Sequence, residues 1–452
     1  MSMRTVILLA AAAGIAWGQG GIEGLWQGTL DVGSAKLRLL LKVSRGSEGA
    51  LGAKLDSLDQ GAVDIPVSSV SFEQGALKFA IRGIGASFEG ALSKDGVEVA
   101  GQFTQGPATL PLVLKRTEKP AATNRPQEPK KPYPYDEEEA LYENRKAGVK
   151  LAGTLTLPRS EAPAPAVILI SGSGAQDRNE AVFGHRPFLV LADHLTRAGI
   201  AVLRVDDRGV GGSTGSVGTA TSEDFAGDVL AGVEFLKGHK RVNARRIGLA
   251  GHSEGGLVAP LVAAQSGDVT FVVLMAGPGV TGEQILYEQG ALIAKAAGAP
   301  EASIAANRAL QQKAFAVIKQ ETDPATIEAK LREVVKDVPG GEAHVRMAKS
   351  AWFRFFLTYD PAPTLRRVKC PVLAINGELD LQVPPEVNQA AVQAALQAGG
   401  NRDVTVLKMA RLNHLFQTAK TGGLGEYAQI EETIAPAALE TISKWILERV
   451  RR

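Results

Sequence analysis

A serine held between glycines, where two apolar runs meet, is the first feature of this sequence that could do chemistry. In RRIGLAGHSEGGLVAPLVAAQ, residues 245–265, Ser253 follows a short run typical of a buried strand and precedes an alanine-rich run typical of a helix. Gly251 and Gly255 fit a nucleophile elbow, the sharp strand-to-helix bend that exposes a serine hydroxyl. That hydroxyl is a weak nucleophile at neutral pH and needs an imidazole base beside it. Ser253 is therefore predicted to attack a carbonyl carbon.

The same G-x-S-x-G spacing occurs a second time around Ser213, at Gly211–Gly215. So short a pattern is weak evidence in a chain with 50 glycines. Ser213 lies in the glycine-rich stretch DDRGVGGSTGS, and no helical run opens after it, so the strand–turn–helix context of the motif is missing. Ser213 is predicted to be a turn residue, and Ser253 the nucleophile.

An acid and a base must follow such a serine, in the order serine, acid, histidine. His414, in KMARLNHLFQ, is the histidine that comes after the last plausible acid, in the loop that follows a predicted strand. The preceding predicted strand leads into NGELDLQVPP, which offers Glu378 and Asp380. Asp380, just before a proline-closed turn, is predicted to hold the tautomer of the His414 imidazole. Glu378 is predicted to be an exposed turn residue.

The charge that develops on an attacked carbonyl oxygen needs two backbone N–H donors. One is expected from Glu254, directly after the nucleophile, and the other from the loop after the first buried strand, ISGSGAQDRNE, where Ser173 is the predicted donor. Gly172 and Gly174 would let a substrate approach this backbone closely. The loop lacks the spacing of a phosphate-binding loop. Five charged residues are predicted to brace the two loops beside the site through side-chain bonds: Asp177, Arg178, Asp206, Asp207 and Arg208.

The elements that must position these residues change in character along the chain. Residues 19–118 alternate apolar and polar side chains in short segments with turn signals, which predicts a small all-β domain, a sandwich or a small barrel. The proline-rich, charged residues 119–139 are predicted to be an extended linker. Residues 140–452 alternate strand and amphipathic helix patterns, which predicts a mostly parallel sheet flanked by helices. A helical insertion at about 280–358 is predicted to form a lid.

Composition limits the classes of partner. Among 452 residues, 50 are basic and 48 acidic, a formal net charge of +2, so nothing in the charge predicts nucleic acid or an anionic membrane as a partner. Cys370 is the only cysteine, which excludes an internal disulfide, and we interpret it as a small buried hydrophobe. His185, His194, His239 and His344 show no metal-ligand spacing, so neither a metal nor a cofactor is expected. The expected partner is a small-molecule substrate.

Residues 1–18 have the pattern of a secretory signal peptide. One arginine precedes roughly a dozen apolar residues, and small residues follow at Ala16 and Gly18. The apolar run is shorter than the roughly 20 residues that a membrane-spanning helix needs. We therefore expect export to the periplasm or the medium, with cleavage near Gln19 and no membrane span in the mature chain. The pattern leaves the oligomeric state open.

Four motifs in order, DDRGVGGS, GHSEGG, NGELDLQVP and LNHLFQ, resemble the α/β-hydrolase superfamily, in its branch of serine aminopeptidases and monoglyceride lipases. SGSGAQDRNE and the β-rich leader look like exported bacterial esterases that join a small β-domain to the hydrolase. The resemblance spans about Tyr135 to Arg452 and is weaker over the first domain. It implies an α/β-hydrolase fold and a carboxylesterase that acts without a cofactor on short to medium acyl esters through an acyl-enzyme. One departure, Ser171-Gly172 where many relatives have His-Gly, bears on the assignment of Ser173.

Two other functions stay open. A serine peptidase of the aminopeptidase kind would use the same triad, because the lid and not the triad sets the leaving group. A binding protein, with the ligand on the β-domain and the hydrolase half as a scaffold, is disfavoured by the intact set of Ser253, Asp380 and His414.

Overall fold

The computed structural model describes residues 21–32, 36–46, 49–58, 62–106, 108–119, 124–338 and 341–451. The chain divides into two compact units, one formed by Met1–Ser57 and Ala62–Ala121 and the other by Leu58–Gly61 and Ala122–Arg452. The secretory signal predicted at residues 1–18 lies outside the described residues. In the part of the chain that the structure describes, no helix is long and apolar enough to span a membrane.

The first unit is built from short strands whose side chains alternate between core and solvent. Its strands are β1 (Gly24–Asp31), β2 (Lys36–Arg45), β3 (Leu51–Ser57), β4 (Ala62–Pro66), β5 (Ser69–Glu73), β6 (Ala76–Ile81), β7 (Ala86–Leu92), β8 (Glu98–Gln105) and β9 (Ala108–Thr117). They form one antiparallel sheet in the order β4-β3-β2-β1-β9-β8-β7-β6-β5. Alternate residues of β1 and β7, among them Trp26 and Phe88, enter a single apolar core. The predicted all-β N-terminal domain is confirmed.

The predicted linker, residues 119–139, differs from expectation over its second half. The guanidinium of Arg125 donates to the carbonyls of Phe183 (3.1 Å), Gly184 (3.0 Å), Ala428 (2.9 Å) and Ile430 (2.7 Å). Five N–H donors in one rigid fork suit such a set of loop carbonyls. The first strand of the second unit then begins at residue 135, inside the predicted linker. Residues 124–139 are therefore part of the second unit.

The second unit contains a mixed sheet of eight strands. They are β10 (Tyr135–Asn144), β11 (Val149–Pro158), β12 (Ala164–Ile170), β13 (Ala201–Val205), β14 (Val242–His252), β15 (Val269–Met275), β16 (Val372–Gly377) and β17 (Val404–Met409), in the order β10-β11-β13-β12-β14-β15-β16-β17. β11 runs antiparallel to both of its neighbours, and every pairing from β13 to β17 is parallel. The carboxyl ends of β12 to β17 therefore lie at one edge of the sheet, where the loops can meet.

Helices cover both faces of this sheet, as predicted. They are α1 (Pro187–Arg197), α2 (Ser222–Lys237), α3 (Gly255–Ala263), α9 (Ala362–Leu365), α10 (Pro385–Ala398) and α11 (Pro436–Val450), and further helices are inserted between α3 and α9. α1 and α11 contribute to the apolar cluster on one face, and α2, α3 and α10 to the cluster on the other. The strands are apolar on both sides because both sides are buried.

A helical segment interrupts the alternation between β15 and β16, where helical patterns are predicted at about 280–358. It contains α4 (Gly282–Ala296), α5 (Glu301–Gln320), α6 (Pro324–Val334), α7 (Gly341–Lys349) and α8 (Ala351–Thr358). These helices share a small apolar core of their own, with Phe315, Leu331 and Phe353 among its members. The segment α4–α8 is called the helical insertion below.

Candidate active site

The bend between β14 and α3 carries Ser253. β14 ends at His252 and α3 begins at Gly255, so two residues make the turn. Ser253 has a φ of 52°, in the left-handed region that is costly for a residue with a side chain and that recurs at functional sites. A Cβ on Gly251 would overlap the carbonyl of Gly255, so the bend requires glycine there. Ser253 thus occupies a strained strand-to-helix turn, the geometry of a nucleophile elbow.

The serine of the second G-x-S-x-G match is engaged with the backbone. Ser213 is 8% exposed, and its Oγ donates to the carbonyl of Asp206 (2.8 Å) and accepts from the N–H of Ala152 (3.0 Å). These bonds join the loop after β13 to β11. The hydroxyl of Ser213 therefore holds a loop in place, which is the structural role predicted for it.

His414 and Asp380 are brought together by the loops that follow β17 and β16. The two atoms in contact are His414 Nδ1 and Asp380 Oδ2, 2.8 Å apart, and both residues are buried. Asp380 Oδ1 accepts from the backbone N–H groups of Gln382 (2.8 Å) and Val383 (2.9 Å), and Asn376 Nδ2 donates to Oδ2 (3.2 Å). Both carboxylate oxygens are therefore fixed, and the imidazole is oriented through Nδ1.

Glu378, the alternative acid, points elsewhere. It is exposed, and its Oε2 accepts from the backbone N–H of Arg411 at 2.9 Å. The structure therefore places Asp380 against the imidazole of His414 and leaves Glu378 on the turn.

Two contacts place His414 beside the elbow. Nε2 of His252, the residue directly before Ser253, lies 2.9 Å from the carbonyl oxygen of His414, and the two imidazole rings are 4.8 Å apart between centroids. Within the described residues, the hydrogen bonds of Ser253 are those of its backbone, from its N–H to Met275 (2.8 Å) and to its carbonyl from Gly256 (2.9 Å). Contacts of catalytic side chains commonly tighten only when substrate is bound.

The loop after β12 runs beside Ser253. A Cβ on Gly172 would lie 3.2 Å from the Cβ of Ser253, so only a small residue fits there without displacing Ser253. The N–H of Gly172 donates to Glu180 Oε1 at 2.7 Å. With that donor committed, the next N–H along the loop is that of Ser173, which is exposed. The second predicted donor, Glu254, lies at the N-terminus of α3, where backbone N–H groups and the helix dipole favour negative charge.

The side chain of Glu254 ties the helical insertion to the elbow. It is 4% exposed, and its Oε1 accepts from Ser222 Oγ (2.6 Å) and from Trp352 Nε1 (2.7 Å) on α8. Burial raises the pKa of Glu254 above that of an ordinary glutamate. Trp352 also lines a cleft of about 300 Å³ that reaches the loop after β12, and the residues around this cleft are Ser173, Gly174, Val217, Gly218, Phe225, Ser350 and Trp352.

Three of the five residues predicted to brace these loops, Arg178, Asp206 and Asp207, join the loop after β12 to the loop after β13. The other two do not: Asp177 bonds within its own turn, and Arg208 pairs with Asp228 on α2. Arg178 Nη2 pairs with Asp206 Oδ2 at 2.8 Å, and the oxygens of Asp207 accept from Ser171 Oγ (3.0 Å) and from the N–H of Gln176 (2.9 Å). Burial raises the pKa of Asp207 to about 7. Asp207 therefore changes its charge near neutral pH while it holds the loop that carries Ser173, the predicted oxyanion donor.

The titration of Asp207 predicts a pH dependence of stability. Between the ordinary pKa of 3.8 and about 7, the native state keeps a proton that the unfolded state has lost, so rising pH through this window lowers the free energy of unfolding. We expect the wild-type value to fall relative to that of Asp207→Asn by roughly 3 kcal/mol between pH 4 and pH 8. Urea unfolding at both pH values measures this difference. Parallel pH profiles in the two proteins would show that Asp207 is charged throughout.

Two residues near the site have no role in the sequence-based prediction. Glu180 and His252 are 3% and 5% exposed and contact each other through Oε1 and Nδ1 at 2.9 Å. Glu180 belongs to the quoted stretch SGSGAQDRNE, and His252 directly precedes Ser253. An acid in that loop and a histidine next to the predicted nucleophile are visible in the sequence, but their pairing depends on the order of the strands in the sheet.

Two further kinds of reactive site were considered in the sequence, a metal site and a cysteine nucleophile. In the part of the chain that the structure describes, no cluster of three or more His, Cys, Asp or Glu side chains could hold a metal ion. Burial raises the pKa of Cys370 to about 11, so its thiol is protonated near neutral pH and is a poor nucleophile.

Comparison with known proteins identifies the family. The model of the X-Pro dipeptidyl-peptidase family, S15, matches residues 147–414, which is more than half of the chain and contains Ser253, Asp380 and His414. This chain belongs to the S15 family. The S15-family chain is also 27% identical over 302 residues to the esterase EstD of Thermotoga maritima, a match that covers 66% of each protein. It therefore spans slightly less than two thirds of EstD. The narrower branch predicted from the motifs stays a prediction.

The S15-family chain also has solved structural neighbours. It is 19% identical to Est1E of Butyrivibrio proteoclasticus, a structure with bound ferulic acid, over 69% of this chain and 100% of that one, with a TM-score of 0.43. An esterase of Pyrococcus furiosus is 20% identical over 73% of this chain and 98% of that one, with a TM-score of 0.44. The family and the sequence relative together indicate a serine hydrolase of the α/β-hydrolase type.

Proposed function

We propose that this protein is a serine carboxylesterase that hydrolyses short to medium acyl esters through an acyl-enzyme. The observation that carries the proposal is the buried contact of 2.8 Å between Asp380 and His414, next to a serine on a strained elbow. A carboxylate, an imidazole and a serine hydroxyl are the parts that acyl transfer needs. The likeness to EstD, an esterase, supports an ester as the substrate.

In the first half of the proposed reaction, Ser253 Oγ attacks the ester carbonyl carbon while His414 Nε2 takes its proton. Asp380 keeps the proton of the neutral imidazole on Nδ1 and stabilises the imidazolium that forms. The N–H groups of Ser173 and Glu254 donate to the oxygen that becomes negative. Collapse of this intermediate breaks the bond to the alcohol, which leaves with the proton from His414, and an acyl-Ser253 ester remains.

In the second half, water replaces the alcohol. His414 removes a proton from the water as it attacks the acyl carbon, and the same two N–H groups stabilise the new oxyanion. Collapse releases the carboxylic acid and returns the proton to Ser253 Oγ. The chain's own residues supply every proton transfer, so the proposed reaction needs no cofactor.

The helical insertion is proposed to act as a lid that sets the acyl length. Ser350 and Trp352 enter the cleft of about 300 Å³ from this segment, and Ser173 and Gly174 line it from the loop after β12. A cleft of this volume is at the small end of the range for ligand pockets, which favours a short or medium acyl group. The indole of Trp352 would limit the length of that group.

Replacing Trp352 tests this account of acyl length. In Trp352→Ala the cleft is longer, and we expect the kcat/KM ratio of p-nitrophenyl octanoate to butyrate to rise about 10-fold, since a methylene in an apolar pocket is worth about 1–3 kcal/mol. Trp352→Phe is the matched control, because it keeps an aromatic ring at this position while it removes the N–H that binds Glu254 and only part of the indole volume. Its ratio should stay within about 2-fold of wild type. An unchanged ratio in Trp352→Ala would place the acyl group elsewhere.

A serine peptidase that cleaves after an X-Pro dipeptide is the second candidate, and the S15 family match favours it. The two candidates share the triad and differ in the leaving group, an alcohol or an amine. Assays of the full chain with p-nitrophenyl acyl esters and with X-Pro p-nitroanilides distinguish them. The esterase proposal predicts that kcat/KM for the best ester exceeds that for the best anilide by at least about 100-fold. A higher value for the anilides would favour the peptidase.

A further inference from the structure

Behind the elbow lies a second pair of a histidine and a carboxylate, which the proposed reaction does not use. Glu180 Oε1 receives two contacts, from the backbone N–H of Gly172 at 2.7 Å and from His252 Nδ1 at 2.9 Å. On the other side of the ring, His252 Nε2 lies 2.9 Å from the carbonyl oxygen of His414. One chain of contacts therefore joins the loop after β12, the elbow and the loop that carries the proposed base.

The donor and acceptor chemistry of these contacts determines which ring nitrogens of His252 carry a hydrogen. A backbone carbonyl oxygen can only accept, so His252 Nε2 must carry a hydrogen. When the Glu180 carboxylate is ionised it also only accepts, so His252 Nδ1 then carries a hydrogen as well and the ring is an imidazolium. Burial opposes this charge, but the charge of Glu180, its hydrogen bond, the His414 carbonyl and the charge of Asp380 together raise the pKa of His252. With both residues charged, the pair is a buried ion pair in which the two ring nitrogens of His252 and Oε1 of Glu180 all have partners.

Glu180 is held in position by its own turn. Its φ is 51°, again in the left-handed region that is costly outside glycine. Its N–H donates to the carbonyl of Asp177 (2.9 Å), and Asp177 Oδ1 accepts from the N–H groups of Asn179 and Ala181 (3.0 Å each). Such backbone strain persists only where the surrounding structure maintains it, and it is most common at functional sites. The strained turn at Glu180 therefore favours a functional role for this buried acid.

We propose that Glu180 and His252 form one positioning unit that fixes the oxyanion loop and the backbone of His414 relative to Ser253. The unit does not touch the reacting atoms. Glu180 occupies the N–H of Gly172 and so leaves the next N–H, of Ser173, as the donor for the oxyanion, while His252 holds the carbonyl of His414. This proposal rests on the proposed acyl transfer at Ser253.

The proposal predicts a loss that is specific to the transition state. In Glu180→Gln the side chain keeps its size and one acceptor oxygen but not its charge, and in His252→Gln one amide cannot span both contacts. For either variant we expect kcat on p-nitrophenyl butyrate to fall about 10- to 100-fold and KM to change less than about 3-fold. The affinity for an alkyl trifluoromethyl ketone, which forms an oxyanion on the serine, should fall in parallel with kcat. Since the two residues act as one unit, the double variant should lose little more than either single variant.

Glu378→Gln is the matched control, because it makes the same chemical change at an exposed carboxylate that bonds the backbone of Arg411, and it should keep wild-type kcat and inhibitor affinity. If wild type hydrolyses neither esters nor X-Pro anilides, the proposed function itself fails. If wild type is active and a folded Glu180→Gln or His252→Gln protein keeps both kcat and inhibitor affinity, the positioning unit is wrong.

A crystal structure of the wild-type protein with the trifluoromethyl ketone tests the same proposal without any substitution. We expect the oxyanion within hydrogen-bond distance of the N–H groups of Ser173 and Glu254, while the N–H of Gly172 stays on Glu180. An oxyanion bound by the N–H of Gly172, with the contact to Glu180 broken, would overturn the proposal.

Discussion

Replacing Ser253 with alanine is expected to lower kcat/KM on p-nitrophenyl butyrate by about 10⁵-fold. The substitution removes the atom that forms the acyl-enzyme, and only substrate binding and the oxyanion donors remain to accelerate attack by water. The backbone bonds of Ser253 to Met275 and Gly256 do not involve the hydroxyl, so the fold should be retained. Initial rates, together with thermal unfolding of the same preparation, measure both expectations.

Ser213→Ala is the matched control, because it removes the hydroxyl of the other G-x-S-x-G serine. Its Oγ bonds two backbone groups, so we expect a loss of about 1–2 kcal/mol in the free energy of unfolding and near-normal turnover of the folded protein. The assignment of Ser253 would be wrong if the two variants exchanged these effects.

Replacing Asp380 with asparagine is expected to lower kcat by about 10⁴-fold with a small change in KM. Oδ1 accepts from two backbone N–H groups, so the amide oxygen of the asparagine takes that position. Its NH₂ then faces His414 Nδ1, which must become an acceptor, and the ring proton moves to Nε2. Nε2 is the nitrogen that should receive the proton from Ser253, so the base is held in the wrong tautomer.

Glu378→Gln is again the control for Asp380→Asn, since the two acids are two residues apart and only one contacts the imidazole. It should keep kcat within about 2-fold of wild type. A large loss in Glu378→Gln with normal kcat in Asp380→Asn would exchange the roles of the two acids.

Much of the candidate site can be predicted from the sequence because of how parallel strands are ordered. Ser253, Asp380 and His414 each follow a recognisable apolar strand pattern, and the carboxyl ends of those strands share one edge of the sheet. Their separation along the chain therefore does not prevent the prediction that they meet. The order serine, acid, histidine is enough to assign each residue its expected role. Asp380 could be preferred over Glu378 because it precedes a proline-closed turn.

The Glu180–His252 pair could not be predicted in the same way. The two residues are 72 positions apart and meet only because β14 pairs with β12, so the loops after these strands are adjacent. The pattern of apolar and polar residues along the chain does not show which strands pair with each other. A similar limit applies to Arg125. The proline-rich, charged sequence around it predicts a linker, but the carbonyls that accept its hydrogen bonds lie up to 305 positions away in the chain.

Labelling with a fluorophosphonate, followed by mapping of the modified peptide, tests the central claim most directly. The reagent forms a covalent phosphonyl ester with a serine that has been activated by a neighbouring base. We predict one adduct on Ser253 in the wild-type protein and none in Ser253→Ala. An adduct on Ser213 or on any other residue, or no adduct on a folded protein that hydrolyses esters, would contradict it.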